Sequence, residues 1–266
     1  MNISPLDVGF GAVVAGADVK CLDSADTENL RAALLEHGLL VIRDQQLTPE
    51  QQVAASRLFG VLETFHGPAS RTPLAEIFRV ASRPEDGHVE VGRYWHSDGS
   101  FRTTPTAISI WYSVAHAEDG GQTLFTDQQS AYRQLDDATR ARIHHLHTWH
   151  GKGVEHPLVL THPATGRQGL YLNVGLTHGI VGLSATDGHR LIRELDAHLS
   201  RAGAVYEHAW QPGDLVIADS FRTAHRATPT PVRYRRILDR TTVRGDGAFW
   251  ITDPAQINRA RRMTPA

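Results

Sequence analysis

Trp95-His96-Ser97-Asp98-Gly99-Ser100-Phe101 sets an imidazole and a carboxylate two positions apart. On extended backbone, residues i and i+2 point to the same side, so His96 and Asp98 can converge on one point. Gly99 lets the chain turn directly afterwards without a Cβ penalty. Imidazole nitrogen with carboxylate oxygen is the donor mix of a borderline metal. One further histidine would complete the facial triad that holds non-haem Fe(II) and leaves coordination positions open. His-x-Asp alone is a short pattern found in many unrelated chains, so its weight depends on the rest of the sequence.

The third ligand is assigned to His225, in Asp219-Ser220-Phe221-Arg222-Thr223-Ala224-His225-Arg226, just past the apolar run Leu215-Val216-Ile217-Ala218. A satisfied core or surface histidine is the alternative. Farther on, Tyr234-Arg235-Arg236-Ile237-Leu238-Asp239-Arg240 reads as a strand. Its period of two puts Arg236, Leu238 and Arg240 on one face, with the arginines about 13 Å apart. Two inward guanidinium forks suit a bound anion, because arginine holds a carboxylate through paired hydrogen bonds. A solvated edge-strand face is the competing reading. His144, His145, His147 and His150 resemble a metal tract but are expected on a helix end and its exit loop.

The elements that must position these residues are mostly short strands. Residues 1–23 are apolar runs broken by Gly9, Gly11 and Gly16. Asp26 is expected to cap a helix carrying Leu30, Ala33 and Leu34, stopped by Gly38. Leu39-Leu40-Val41-Ile42 is a strand. Thr48-Pro49-Glu50-Gln51 opens a second helix, with Thr48 as cap and Gln51 closing a capping box. Residues 66–94 form a loop around a short strand, Ile77-Phe78-Arg79-Val80. Strands follow at 107–112, 123–125, 170–172, 205–210, 215–218 and 234–243. Helices are expected at 130–135, at 137–147 with Asp136 as cap, and from Ser184 to a stop at Gly203, with Leu191, Leu195 and Leu199 on one face. Many short strands with a few outer helices predict a mainly β protein, a β-sandwich or jelly roll with flanking α-helices, in a single domain spanning 1–266.

The 266 residues carry 27 Lys and Arg against 29 Asp and Glu, a net charge of −2. That balance argues against a nucleic-acid or anionic-membrane partner. Cys21 is the only cysteine, which excludes an internal disulfide and a cysteine-rich zinc site. No signal-like start and no long apolar span is present, so a cytoplasmic location is expected.

Taken together and in order, these motifs resemble the taurine dioxygenase / 2,4-D dioxygenase family of Fe(II)- and 2-oxoglutarate-dependent oxygenases. That family carries His-x-Asp, a distal histidine, and arginines eleven and fifteen residues later, which here are Arg236 and Arg240. Thr123, 27 positions after His96, matches the family threonine that bonds the 2-oxoglutarate C5 carboxylate. Arg43 to Glu50, followed by Phe59-Gly60, resembles the family's N-terminal segment.

The resemblance implies a double-stranded β-helix with iron held by His96, Asp98 and His225. It implies 2-oxoglutarate and O2 as co-substrates, release of succinate and CO2, and Arg236 with Thr123 at the C5 carboxylate. Arg240 would serve either the co-substrate or the substrate. His66 and Tyr171 fit family substrate-binding positions, with a loop histidine and plain core packing as alternatives. The expected substrate is a small or medium-sized organic anion, most simply hydroxylated; the oligomeric state is left open. Two features depart from taurine dioxygenase. Residues 147–158 are short where it has a lid-like insertion, which suggests a more open mouth, and Gly92 replaces the asparagine used for taurine. Retained Asp98 argues against the halogenating relatives. A non-oxygenase jelly-roll metalloprotein, either zinc hydrolase or binding module, is the other function class.

Overall fold

The computed structural model describes residues 1–65, 72–201 and 204–253, apart from the side chain of Lys152. Its framework is an eight-stranded sheet. In spatial order the strands are Asn2–Pro5, Ala12–Ala15, Leu39–Ile42, Leu215–Asp219, Thr106–Ala115, Ile237–Ala248 and Gly60–Leu62, with Phe78–Ala81 also paired to Ile237–Ala248. A three-stranded sheet of Val205–His208, Thr123–Asp127 and Thr223–Ala227 is the other half of the jelly roll.

Alternation along the strands explains the layering. Leu40, Ile42, Ile108, Ile110 and Ile217 face one way and pack with Leu30, Leu34 and Ala55 of two helices, Ser24–His37 and Pro49–Arg57, and with Phe59 just past the second. Leu39, Val41, Trp111, Val216 and Leu238 face the other way and meet Phe125 of the small sheet. Successive side chains on a strand point to opposite faces, so one run of apolar residues serves both layers. A third cluster packs Trp95, Leu170 and Leu172 against Leu191, Leu195 and Leu199 of the helix Ala185–Arg201. Among the described residues, no helix is long and apolar enough to cross a membrane.

Several local expectations are corrected. The first helix is capped by Asp23, whose carboxylate accepts from the Asp26 N–H; Asp26 sits within the first turn, where its charge suits the helix dipole. Thr48 and Gln51 do form the capping box. His147 and His150 belong to a strand, His147–His150, which forms a hairpin with Val154–Pro157 instead of a helix exit. The strand expected at 170–172 is Gln168–Leu170. The strand expected from Tyr234 starts at Ile237 and runs to Ala248, so Arg236 precedes it. Gly203, expected to stop the long helix, lies outside the described residues.

Candidate active site and metal centre

His225 lies in the Thr223–Ala227 strand, paired with Phe125. His96 joins it through one antiparallel bridge outside any named strand. Asp98 stands not on extended backbone, as the spacing suggested, but at the start of a turn. Gly99 there has φ +75°, and a Cβ on it would lie 2.5 Å from Thr106 Oγ1. The turn, not strand alternation, swings the carboxylate towards the imidazoles. One donor atom from each of the three residues lies within 4.8 Å of the others, and this is the only such cluster of three or more among the described residues. His144, His145, His147 and His150 form none.

The surroundings fit a divalent cation. His96 Nδ1 is 2.9 Å from the Tyr94 carbonyl, which fixes the proton there and leaves Nε2 as a lone-pair donor. Trp111 packs edge-on against His225 at 4.8 Å. Burial pushes both imidazoles below their usual range, so they stay neutral. Burial alone would raise Asp98. Arg240, then His225, His96 and Ser109, outweigh it and hold the carboxyl well below the usual carboxylate range. Ser109 Oγ donates to Asp98 Oδ2 at 2.6 Å, and Arg240 Nη1 donates to Oδ1 at 2.6 Å. Two neutral imidazoles and one oriented carboxylate are the deprotonated donors that a metal requires.

A cavity adjoins this cluster, lined by His96, His225, Thr123, Arg236, Arg240 and Trp111 among others. The expected shared face of Arg236, Leu238 and Arg240 is therefore present, although Arg236 lies before the strand. Arg236 is 6% exposed, its Nη2 donates to Thr123 Oγ1 at 3.2 Å, and its Nε has no hydrogen-bond partner. Burial, with Arg93 second, pushes its guanidinium down to about 10. A cation desolvated to this degree is poised for an anion. Arg240 is paired to the Asp98 carboxylate, a placement the sequence did not suggest, and its guanidinium lies 4.8 Å from the Phe78 ring centroid.

Tyr171 is not a wall of this cavity. It is 1% exposed, in the core, with its ring edge-on to His156 at 5.3 Å. His66 lies outside the described residues. Among the described residues, the 147–158 hairpin supplies none to the lining of this cavity. Gly92 does line the cavity, with φ +68°, and a Cβ there would lie 2.5 Å from His96 Cε1. Sequence reasoning missed Ser109, Trp111, Trp210 and Phe78. Alternation with the buried Ile108 and Ile110 was the available signal for the first two.

The chain matches the family described as taurine catabolism dioxygenase TauD, TfdA over residues 2–242. It is 33% identical to the (S)-phenoxypropionate/alpha-ketoglutarate-dioxygenase of Sphingobium herbicidovorans, covering 93% of this chain and 96% of that protein. The alpha-ketoglutarate-dependent 2,4-dichlorophenoxyacetate dioxygenase of Cupriavidus pinatubonensis is 30% identical, over 91% of this chain and 97% of its own. In three dimensions the chain superposes on the crystal structure of AAD-2 in complex with Mn(II) and N-oxalylglycine. The TM-score is 0.83 at 30% identity, over 92% of this chain and 98% of that one.

Proposed function

The chain belongs to the taurine catabolism dioxygenase TauD, TfdA family and is a 2-oxoglutarate-dependent non-haem iron dioxygenase; from that premise we propose that it hydroxylates a small or medium-sized organic anion. The observation that carries the proposal is the pair of buried guanidiniums, Arg236 and Arg240, in one cavity with His96 and His225.

In this reading His96, Asp98 and His225 hold Fe(II), which when bound supplies O2 activation and the oxidising power that removes a hydrogen atom from an unactivated carbon. The protein's own residues bind, orient and exclude. Arg236 and Thr123 receive the 2-oxoglutarate C5 carboxylate; a buried guanidinium with an unsatisfied Nε is otherwise costly to retain. Ser109 and Arg240 orient Asp98. Arg240 spends one N–H on Oδ1 of that carboxylate, and a guanidinium has five, so donors remain for a substrate anion. Phe78 beneath it, itself stacked on His88 at 4.4 Å, keeps the guanidinium in place.

The names of the two relatives specify phenoxypropionate and 2,4-dichlorophenoxyacetate, both organic anions. An adjoining cavity of about 450 Å³ shares Val80, Val91, Ala227 and Arg236 with the inner one, giving room for a body larger than taurine. No observation favours the hydrolase or binding-module class. The test is succinate formation by the iron-loaded enzyme across a panel of carboxylates and sulfonates. Stimulation by at least one anion, and none by neutral analogues, is expected. Stimulation by neutral analogues alone overturns the anion assignment.

A further inference from the structure

Thr123 opens the strand Thr123–Asp127, with His208 opposite it on one side and Ala227 on the other. Two N–H groups converge on its hydroxyl oxygen: Trp210 Nε1 at 3.0 Å and Arg236 Nη2 at 3.2 Å. A hydroxyl has two lone pairs and one hydrogen, whereas indole and guanidinium only donate. With both lone pairs occupied, the Thr123 hydrogen must point away from both neighbours. It donates to no acceptor among the described residues, and Thr123 borders the cavity.

We propose that Trp210 is a positioning residue for the co-substrate. Its indole N–H fixes the polarity of the Thr123 hydroxyl, so that the threonine donates to the 2-oxoglutarate carboxylate beside Arg236. The inference rests on the assignment of Thr123 and Arg236 to the co-substrate given above. Trp210 is itself held in one orientation. Its ring packs edge-on against His208 at 4.4 Å. The nitrogens of His208 are engaged by Tyr206 Oη and Asp214 Oδ2, each at 3.0 Å, and Asp214 also takes Arg43 at 2.6 Å. A buried polar cluster outside the cavity thus fixes the indole, and the indole fixes the threonine. The Arg236 guanidinium lies 5.9 Å from the Trp210 ring centroid, so the same indole adjoins both groups assigned to the carboxylate.

Without the indole N–H, Arg236 still occupies one position of the hydroxyl, so the hydrogen is free between the other two, worth about twofold in affinity. The Trp210–Thr123 bond is made with and without co-substrate, so its own energy cancels in binding; its polarisation of the hydroxyl adds modestly to the effect.

The experiment measures the dissociation constant of 2-oxoglutarate for the Mn(II)-loaded protein by calorimetry, so that no turnover is needed. Trp210→Phe should weaken binding about two- to threefold, and Thr123→Val about tenfold or more. In the Thr123→Val background, Trp210→Phe should have no further effect, because its target is gone. If the two effects instead multiply in full, or if Trp210→Phe alone binds normally, the inference is overturned. If Thr123→Val itself binds normally, the co-substrate assignment is what fails. Should Trp210→Phe melt well below the parent protein, β-(3-benzothienyl)alanine at position 210 keeps the indole shape, lacks the N–H, and carries the same expected outcomes.

Discussion

His96 and His225 face each other as a backbone pair. The His96 N–H donates to the His225 carbonyl at 3.0 Å, and the His225 N–H returns the bond at 2.8 Å. This bridge holds the imidazole centroids 4.1 Å apart using main-chain groups alone. A side-chain substitution therefore removes a metal donor while leaving in place the contact that gathers the site.

For that reason His225→Ala is expected to stay folded while losing metal binding and turnover. Full activity in that variant would refute the assigned centre. Asp98→Ala should behave differently in the metal-free protein. It leaves the buried Arg240 without its carboxylate, and breaking a buried pair costs about 3–5 kcal/mol. Thermal melts should place Asp98→Ala clearly below His225→Ala; coincident melts would contradict this account of Arg240.

Arg236→Leu should raise the apparent KM for 2-oxoglutarate about ten- to a hundredfold, since a charge-assisted hydrogen bond is worth roughly 1.5–3 kcal/mol. The desolvated guanidinium, 6% exposed, is the reason to expect the upper part of that range. An unchanged KM rules out the role.

Arg240→Ala is to be assayed for succinate formation with and without the stimulating anion. Loss of only the substrate-coupled reaction supports Arg240 as the anion's partner. A parallel fall in both assigns it instead to Asp98 and the metal centre, to which Nη1 donates at 2.6 Å.

Gly92→Ala tests the crowding around the first ligand. Its backbone is pinned by the Ala227 N–H to Gly92 carbonyl bond at 2.8 Å, so the added methyl has to displace the His96 ring, 2.5 Å away. Metal affinity should fall at least several-fold beyond the cost of about 1–2 kcal/mol for a left-handed residue, which is a stability effect. Wild-type affinity in a Mn(II) titration would show that the ring yields freely.

Stability should decline with acid between pH 6.5 and 4. Burial, then His156 and His178, pushes His150 down to about 4, so it is neutral in the fold. An unfolded histidine binds a proton from about pH 6.5 downwards. In that window the unfolded chain holds more protons, and stability, full above pH 6.5, falls as pH drops towards 4. His150→Gln should flatten the slope of melting temperature against pH. An identical slope would place the acid sensitivity elsewhere.

The sequence by itself settled what is local. Short apolar runs marked Leu39 to Ile42 and Leu215 to Ala218 as strands, the Thr48 and Gln51 capping box started its helix, residue type with spacing singled out His96, Asp98, His225, Arg236 and Arg240, and the family resemblance added Thr123. Both periodicity and capping follow from backbone geometry within a few residues, so they are written in the order of the chain. Only the tertiary structure decided who meets whom. It gave Arg240 to Asp98, set Trp210 against Thr123, put Ser109 on the second carboxylate oxygen, and buried Tyr171 away from the cavity. Those pairings depend on strand register and on how two sheets stack. Register shifts by one residue reverse every side chain, and the stacking is fixed by the whole core at once, so no short stretch of sequence encodes them.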